Sequence, residues 1–554
     1  MRPLTDPIGA ELAELAPHLL DGYAAALPRA RVTVATRLAE ALWREDLGDA
    51  RARFRGRRHA FDRVLLDPVD ADPVDLVSHE GLRAELDSAV HGLALAYARR
   101  SEQDPGHRAA AAANGVADLP ALLDGAPPDE RTVRLEQLAV EGHNLHPCGR
   151  TRLGWGTGDM IAHDLESEST AIGFLSVRPE LALGDDLSER LGVAVPGGRR
   201  LLPVHIWQLR HLTGRHPELF ADGTLRVLDQ VLPARPTAAL RTVLPAGATY
   251  LKLSLDIQVT STRRSISIAS TRNGPELSRV LSRLLERVPG GERVLLMAEP
   301  MGVAGLLEDG RQLSTIARDG LGGRLAPGEQ PYPASALAAT DPVTGRTLLA
   351  GLVDRYARTR GGSSSAAAAG FLGEYAALLL PPVLALAARH GIGLEAHLQN
   401  CVPTFVGGVP HRLALRDLAG LRVHQPRLAA SGASLHLWPG SVIGTEDEAV
   451  LLAKVAYTAF QAHLGELVLR LGQSHALDEA AAWQIVRDVV DEALAGHPDH
   501  AFYTAPTVPH KALTRMRLAG AGDLYVPVQN PLHDPCGDRH LHRAVLTAWR
   551  KLRS

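Results

Sequence analysis

Four stretches of the chain concentrate side chains able to handle charge. The first is Glu141-Gly142-His143-Asn144-Leu145-His146-Pro147-Cys148-Gly149-Arg150-Thr151-Arg152-Leu153-Gly154, a loop punctuated by Gly and Pro that carries two histidines and two arginines. Such a loop can present several donors to one polyanion, and an arginine forks onto a carboxylate or phosphate. Two other readings compete: a solvated basic loop, or a metal site through His143 and His146, which has no third ligand nearby. The second stretch is Thr260-Ser261-Thr262-Arg263-Arg264-Ser265, with Ser270-Thr271-Arg272-Asn273-Gly274 close behind. Hydroxyls and guanidiniums at a strand end and a helix start suit phosphate, because a helix N-terminus offers free N–H groups and a favourable dipole. A polar turn with an Asn cap is the bland alternative. No GxxxxGK[ST] occurs, which excludes a P-loop.

The third stretch is Glu395-Ala396-His397-Leu398-Gln399-Asn400, followed by Arg416-Asp417. Read as a strand, it puts Glu395, His397 and Gln399 on one face, and such a face is costly to bury without partners. If Asp417 lies across a hairpin, it and Glu395 can converge on Mg²⁺, which takes oxygen ligands and bridges to phosphates. A solvated edge strand is the alternative, though the flanks are apolar. The fourth stretch holds Lys511, Arg515 and Arg517, then Gln529-Asn530-Pro531-Leu532; alone, its cationic stripe reads as a charged helix face.

These side chains need elements to hold them. Residues 1 to about 135 read as helical, with Leu12, Leu15, Leu19 and Leu20 at helical spacing and a linker over 115–130. Leu253, Leu255, Ile257 and Val259 alternate with Lys252, Ser254, Asp256, Gln258 and Thr260, which predicts one strand with an apolar and a polar face. A second strand is expected over 264–270. A helix is then expected from Asn273-Gly274-Pro275, carrying Leu277, Val280, Leu281, Leu284, Leu285 and Val288. Residues 360–365 read as a hinge. Strands over 394–405 and 411–417, joined across Gly407-Gly408-Val409-Pro410, predict a hairpin. Amphipathic helices are expected over 449–472 and 477–495.

A chain of 554 residues implies two or three domains. A net charge of −3 gives no reason to expect nucleic acid or an anionic membrane as partner. Three scattered cysteines, with no CxxC, argue against a disulfide framework or a cysteine zinc site. Asp6, Glu11 and Glu14 interrupt the N-terminus where a signal peptide needs an apolar core. The longest apolar run, 376–388, contains Pro381-Pro382 and is too short to span a bilayer. The expectation is a cytoplasmic protein.

Taken together, the clusters resemble the NRPS-independent siderophore synthetases, the IucA/IucC family. GHNLHPCGRTRLG from Gly142 matches the family's GHPxHPxxKxRxG-like loop, and Pro203-Val204-His205-Ile206-Trp207-Gln208 its PVHPWQ-like segment. Lys252 to Pro275 matches KLxLxxxxTSxxR with a following NGP, and Glu395 to Asn400 with Arg416-Asp417 matches EAHxQN with RD. The matches are collinear over roughly 140–535. Asn144, Arg150 and Ile206 depart from the pattern, standing where Pro, Lys and Pro are usual.

The resemblance implies an α+β fold shaped like a hand: a helical thumb (1–135), mixed α/β fingers (136–355) and a palm with a distant kinase-like look (356–554). It implies an acid–amine ligase that uses ATP and Mg²⁺ to adenylate a carboxylic acid, citrate or a citrate or dicarboxylate derivative. The acyl group then passes to an amine or hydroxyl, with AMP and pyrophosphate released. By the same resemblance, Lys252, Ser261, Arg263, Arg264, Thr271, Arg272, Asn400 and Asp417 bind ATP. His143, His146, Arg150, Arg152, His397 and Gln399 grip the acid, Glu395 and Asp417 hold the metal, and Arg264, Arg272 and His397 are catalytic. The expected partners are the acid and a polyamine or hydroxylated amine, and the expected assembly is a homodimer. The competing classes are a small-molecule kinase and a ferric-siderophore-handling protein; the latter is disfavoured because no cysteine cluster for an Fe–S centre exists.

Overall fold

The computed structural model describes residues 7–535, apart from positions 248, 261, 308, 309 and 521. Helices Leu20–Arg44 and Glu80–Ala113 form the N-terminal part. Val34, Leu38 and Leu42 recur at helical spacing on the first helix, and Leu86, Ala89, Val90 and Leu93 on the second; all are buried in one core. The expected linker over 115–130 is a packed segment. Its Asp129 is buried and accepts from the backbone N–H groups of Leu321 and Gly322. Helix Pro128–Glu136 runs across the expected boundary at 135/136, and helix Leu348–Arg360 across that at 355/356.

The middle part is built on an eight-stranded antiparallel sheet. Strand Thr249–Leu253 pairs with Ser314–Asp319, placing Tyr250 opposite Arg318 and Lys252 opposite Ile316. Alternation then sends Leu251 and Leu253 into the sheet's own core, and Lys252 and Arg318 out of the opposite face. The single strand expected from Lys252 to Thr260 is broken at Ser254, whose hydroxyl accepts from the N–H groups of Ser314 and Ile266. Beyond the break, Leu255, Ile257 and Val259 enter the core of the N-terminal helices instead. The strand expected over 264–270 shortens to Thr262–Arg264, and the helix starts at Ile268 rather than Asn273. Ser267 caps it by accepting from Ser270 N–H at 3.2 Å, so Pro275 falls inside the helix.

In the C-terminal part, Cys401–Val406 and Val409–Leu415 form the expected hairpin. Its Gly407-Gly408 turn has φ of +58° and +85°, and a Cβ on Gly408 would lie 2.6 Å from the Tyr356 nitrogen. Strand Val294–Leu296 adds in parallel, which couples the hairpin to the middle part. Helix Ser364–His390 is long and apolar enough to cross a membrane, yet 83% of its most apolar window is buried within the protein, where it forms the centre of the largest core. The strand expected from 394 begins only at Cys401; residues 398–400 form a 3₁₀ turn. Asn400 closes that turn, donating from its backbone to His397 O and from Nδ2 to Glu395 O. Glu395, His397 and Gln399 therefore do not share a strand face. The helix expected over 449–472 is continuous but contains a π-helical stretch, Ala456–Leu464.

Candidate active site

The outward face of the sheet meets the end of the hairpin formed by Cys401–Val406 and Val409–Leu415. Lys252 Nζ lies 2.7 Å from Asp417 Oδ1, and Arg318 Nη2 lies 3.5 Å from Asp417 Oδ2 and 2.7 Å from Glu299 Oε1. Lys252, Arg318 and Glu299 are buried. Asp417 follows its strand with φ of +68°, an uncommon backbone for a residue other than glycine and one that turns the carboxylate towards the sheet. Burial pushes its carboxyl up, but Lys252, Arg318 and Arg241 outweigh that and hold it well below the usual carboxylate range. Arg241 donates to Ser265 O at 2.9 Å, and Arg264 donates to Val259 O at 3.2 Å. Burial, then the neighbouring Arg241 and Arg152, lower Arg264 to about 9, so it stays cationic at neutral pH.

Glu395 and Asn400 line the same cavity as Asp417. Lys454 Nζ reaches Glu395 Oε1 at 3.0 Å, and His397 Nε2 lies 3.8 Å from Oε2. Burial raises the Glu395 carboxyl, while Lys454 and His397 together pull it below its ordinary value. Burial lowers His397 despite Glu395. The expected metal carboxylates thus come together, though Glu395 reaches the site from a turn rather than from a hairpin strand.

The 141–154 loop holds two differently placed groups of side chains. Gly142 has φ of +71°, and a Cβ there would sit 2.6 Å from Gly149 O, so its neck requires glycine. His143 Nδ1 accepts from Leu145 N–H at 3.1 Å and His146 Nδ1 from Cys148 N–H at 3.0 Å, which leaves each Nε2 as the outward donor. His146 Nε2 is buried without a partner. Burial, then Arg264, Arg517 and Lys511, lower His146 to about 4; burial, then His146 and His397, hold His143 well below 6.5. These histidines are neutral donors beside the cations of the cleft. Arg150 and Arg152 are not free cations. Both are buried, Arg150 Nη2 reaching Glu166 Oε2 at 2.9 Å and Asp164 Oδ2 at 3.2 Å, and Arg152 Nε reaching Asp164 Oδ2 at 2.8 Å. Two carboxylates just downstream in sequence already occupy the forks that were expected to grip the acid.

Residues 131–339 match the IucA / IucC family, and residues 370–526 match a second family, described as ferric iron reductase FhuF-like transporter. Residues 131–339 thus carry the pattern of the IucA/IucC family. It is 26% identical over 464 residues to the D-ornithine–citrate ligase of Staphylococcus aureus, covering 73% of this chain and 70% of that one. It is likewise 26% identical over 437 residues to the staphyloferrin A synthase of the same organism, covering 72% of each. In fold it resembles the petrobactin biosynthesis protein AsbB of Bacillus anthracis, with a TM-score of 0.76 at 19% identity, over 93% of this chain and 98% of that one. It also resembles the ATP-bound aerobactin synthetase IucA of Klebsiella pneumoniae, with a TM-score of 0.68 at 19% identity, over 90% and 99%.

The other positions named from the resemblance have varied surroundings. Arg272 stacks over the Trp438 ring at 5.6 Å, and its Nε is buried without a partner. The Thr271 hydroxyl donates to Ile268 O at 2.8 Å inside its helix. Arg263 is largely exposed and pairs with Asp256. The Gln399 carbonyl accepts from Arg416 Nε at 2.9 Å. Ser261 lies outside the described residues. Of the family departures, Asn144 donates to Ala462 O and Glu466 Oε2, tying the loop to the palm, and Ile206 is the first residue of a helix capped by His205. Proline suits that first position too, so the exchange is structurally mild. In the fourth stretch, Arg515 binds Glu45 O, Arg517 pairs with Glu85 and Lys511 pairs with Asp523. Sequence reasoning missed Arg241, Glu299, Arg318 and Lys454. Arg318 and Lys454 gave a signal only as charges inside apolar runs.

Proposed function

We propose that the chain is an ATP-dependent acid–amine ligase of siderophore synthesis. It activates a carboxylic acid, citrate or a related dicarboxylate, as an adenylate and passes the acyl group to an amine or hydroxyl. The observation that carries this reading is the meeting of Lys252 and Asp417, 165 residues apart in sequence, in a cleft rich in buried cations. The names of the relatives support it. A carboxylate attacking an α-phosphate must overcome charge repulsion; Lys252, Arg264 and Arg272 are our candidates to offset it, each such contact being worth ~3 kcal/mol in the transition state. The outward Nε2 atoms of His143 and His146, with His397, orient the acid as neutral donors. Arg150 and Arg152 leave that role and act as a buried brace for the loop.

Glu395, Asn400 and Asp417 offer carboxylate and amide oxygens to one cavity, a donor set that fits Mg²⁺. Among the described residues no group of three or more His, Cys, Asp or Glu could hold a metal ion. When bound there, Mg²⁺ supplies neutralisation of phosphate oxygens. An iron–sulfur role for the FhuF-like region is disfavoured by the presence of three cysteines in the whole chain, of which Cys148 and Cys401 are buried and unpaired. Nucleotide analysis after incubation with ATP, citrate and an amine tests the reading. AMP and pyrophosphate are expected; ADP with a phosphorylated substrate contradicts it and points to a kinase.

A further inference from the structure

A second cavity lies where thumb and palm meet, and it shares no lining residue with the cavity of Glu395 and Asp417. Arg44, His59, Arg63, Leu145, Gln461 and His510 line it. Arg44, the last residue of its helix, is only 6% exposed, and among the described residues its guanidinium makes no hydrogen bond or ion pair; Nε is buried and unpartnered. Arg63 spends Nη2 on Glu466 at 2.7 Å and leaves Nη1 buried without a partner. Glu466 is itself shared, accepting from Arg470 Nε at 2.7 Å and Asn144 Nδ2 at 3.1 Å. His59 Nδ1 is committed to Glu479 at 2.8 Å, and its Nε2 is orphaned.

Burying an unpaired guanidinium is among the costliest arrangements in a protein interior. Burial and the adjacent Arg63 lower Arg44 to about 10, so the charge persists at neutral pH. Two cations with unspent N–H donors thus face a shared cavity; Glu479 also lines it, and Glu40 and Glu45 lie near enough to favour the charged form of Arg44 without accepting a hydrogen bond from it. We propose that this thumb–palm cavity binds a small oxyanion, a carboxylate or a phosphate, gripped by Arg44 and Arg63. Leu145 from the histidine loop forms part of its wall, so the bound anion fastens thumb, loop and palm together.

The test is calorimetric titration of the full chain with inorganic phosphate and, separately, acetate. It is run in R264M, which weakens anion binding in the catalytic cleft, and in the double variant R264M/R44M. Saturable binding in R264M is expected, weakened at least about tenfold by R44M, the loss of a charge-assisted contact. The tighter probe of the two assigns the oxyanion. Unliganded R44M is expected to melt no lower than the parent, because no partner is lost. Equal affinity with and without Arg44, no saturable binding in R264M, or an R44M protein that melts lower or fails to fold would each overturn the proposal.

Discussion

At the scale of single residues, the cleft rests on side chains that answer one another across long sequence separations. Asp417 is held by Lys252 and Arg318, and Glu395 by Lys454. Glu395→Gln and Asp417→Asn are each expected to lower turnover by at least about a hundredfold at saturating Mg²⁺; near-parental rates would remove them from the site. Asp417→Asn carries a stability cost as well, since it leaves buried Lys252 without its carboxylate. The histidine loop separates two roles. His146→Ala should raise the KM for the acid roughly tenfold and leave that for ATP within about twofold. Arg150→Ala should instead destabilise the fold by ~3–5 kcal/mol in chemical denaturation, because Glu166 is left buried without its ion pair and Asp164 keeps only Arg152. An Arg150→Ala protein of parental stability with a raised acid KM would restore Arg150 to the acid site. The sequence singles out His143, His146, Glu395, His397 and Asp417 as candidates, and the structure brings all five to this region. It cannot separate Arg150 from a free cation, because residue type and spacing do not reveal a buried partner.

At the scale of elements, periodic signals were legible and local exceptions were not. The apolar stripe of helix Ile268–Leu285 is plain from Leu277 to Leu285, but its true start is hidden because Ile266 and Ile268 read as strand. The Ser267 cap and tertiary packing decide the matter, overriding the pull of Asn273-Gly274-Pro275. The hairpin was readable from its glycines, which fix a two-residue turn. The turn at Asn400 was not, because the backbone bond to His397 O and the side-chain bond to Glu395 O that close it leave no periodic pattern in the sequence. The π-helical stretch is likewise invisible to a 3.6-residue period, yet it carries His463, whose ring bridges Tyr375 Oη at 2.7 Å and Ala396 O at 3.0 Å, between Glu395 and His397. At the hairpin, Gly408→Ala should cost ~1–3 kcal/mol in denaturant unfolding, since alanine must adopt a positive φ and crowd the Tyr356 nitrogen. A change below about 0.5 kcal/mol would show that the turn relaxes.

At the scale of the whole molecule, three parts are tied together by buried polar groups, and this sets the pH response. Burial first, with lesser contributions from neighbours, lowers His146 and His463 to about 4 and His205 to about 3. A folded-state pKa below the unfolded value means that the unfolded chain binds more protons between the two, so stability falls as pH drops from about 6.5 towards 4. Each of these histidines should cost roughly 2 kcal/mol between pH 7.5 and pH 5, readable as a lower denaturant midpoint; an unchanged midpoint would mean that they charge freely in the fold. The central claim is that the Lys252–Asp417 cleft adenylates an acid. Acid-dependent exchange of labelled pyrophosphate into ATP, measured without any amine, tests it most directly. The account predicts exchange with citrate or a related dicarboxylate, and its loss in a folded Lys252→Met variant. No exchange with any acid of that class, or full exchange in the variant, would contradict it.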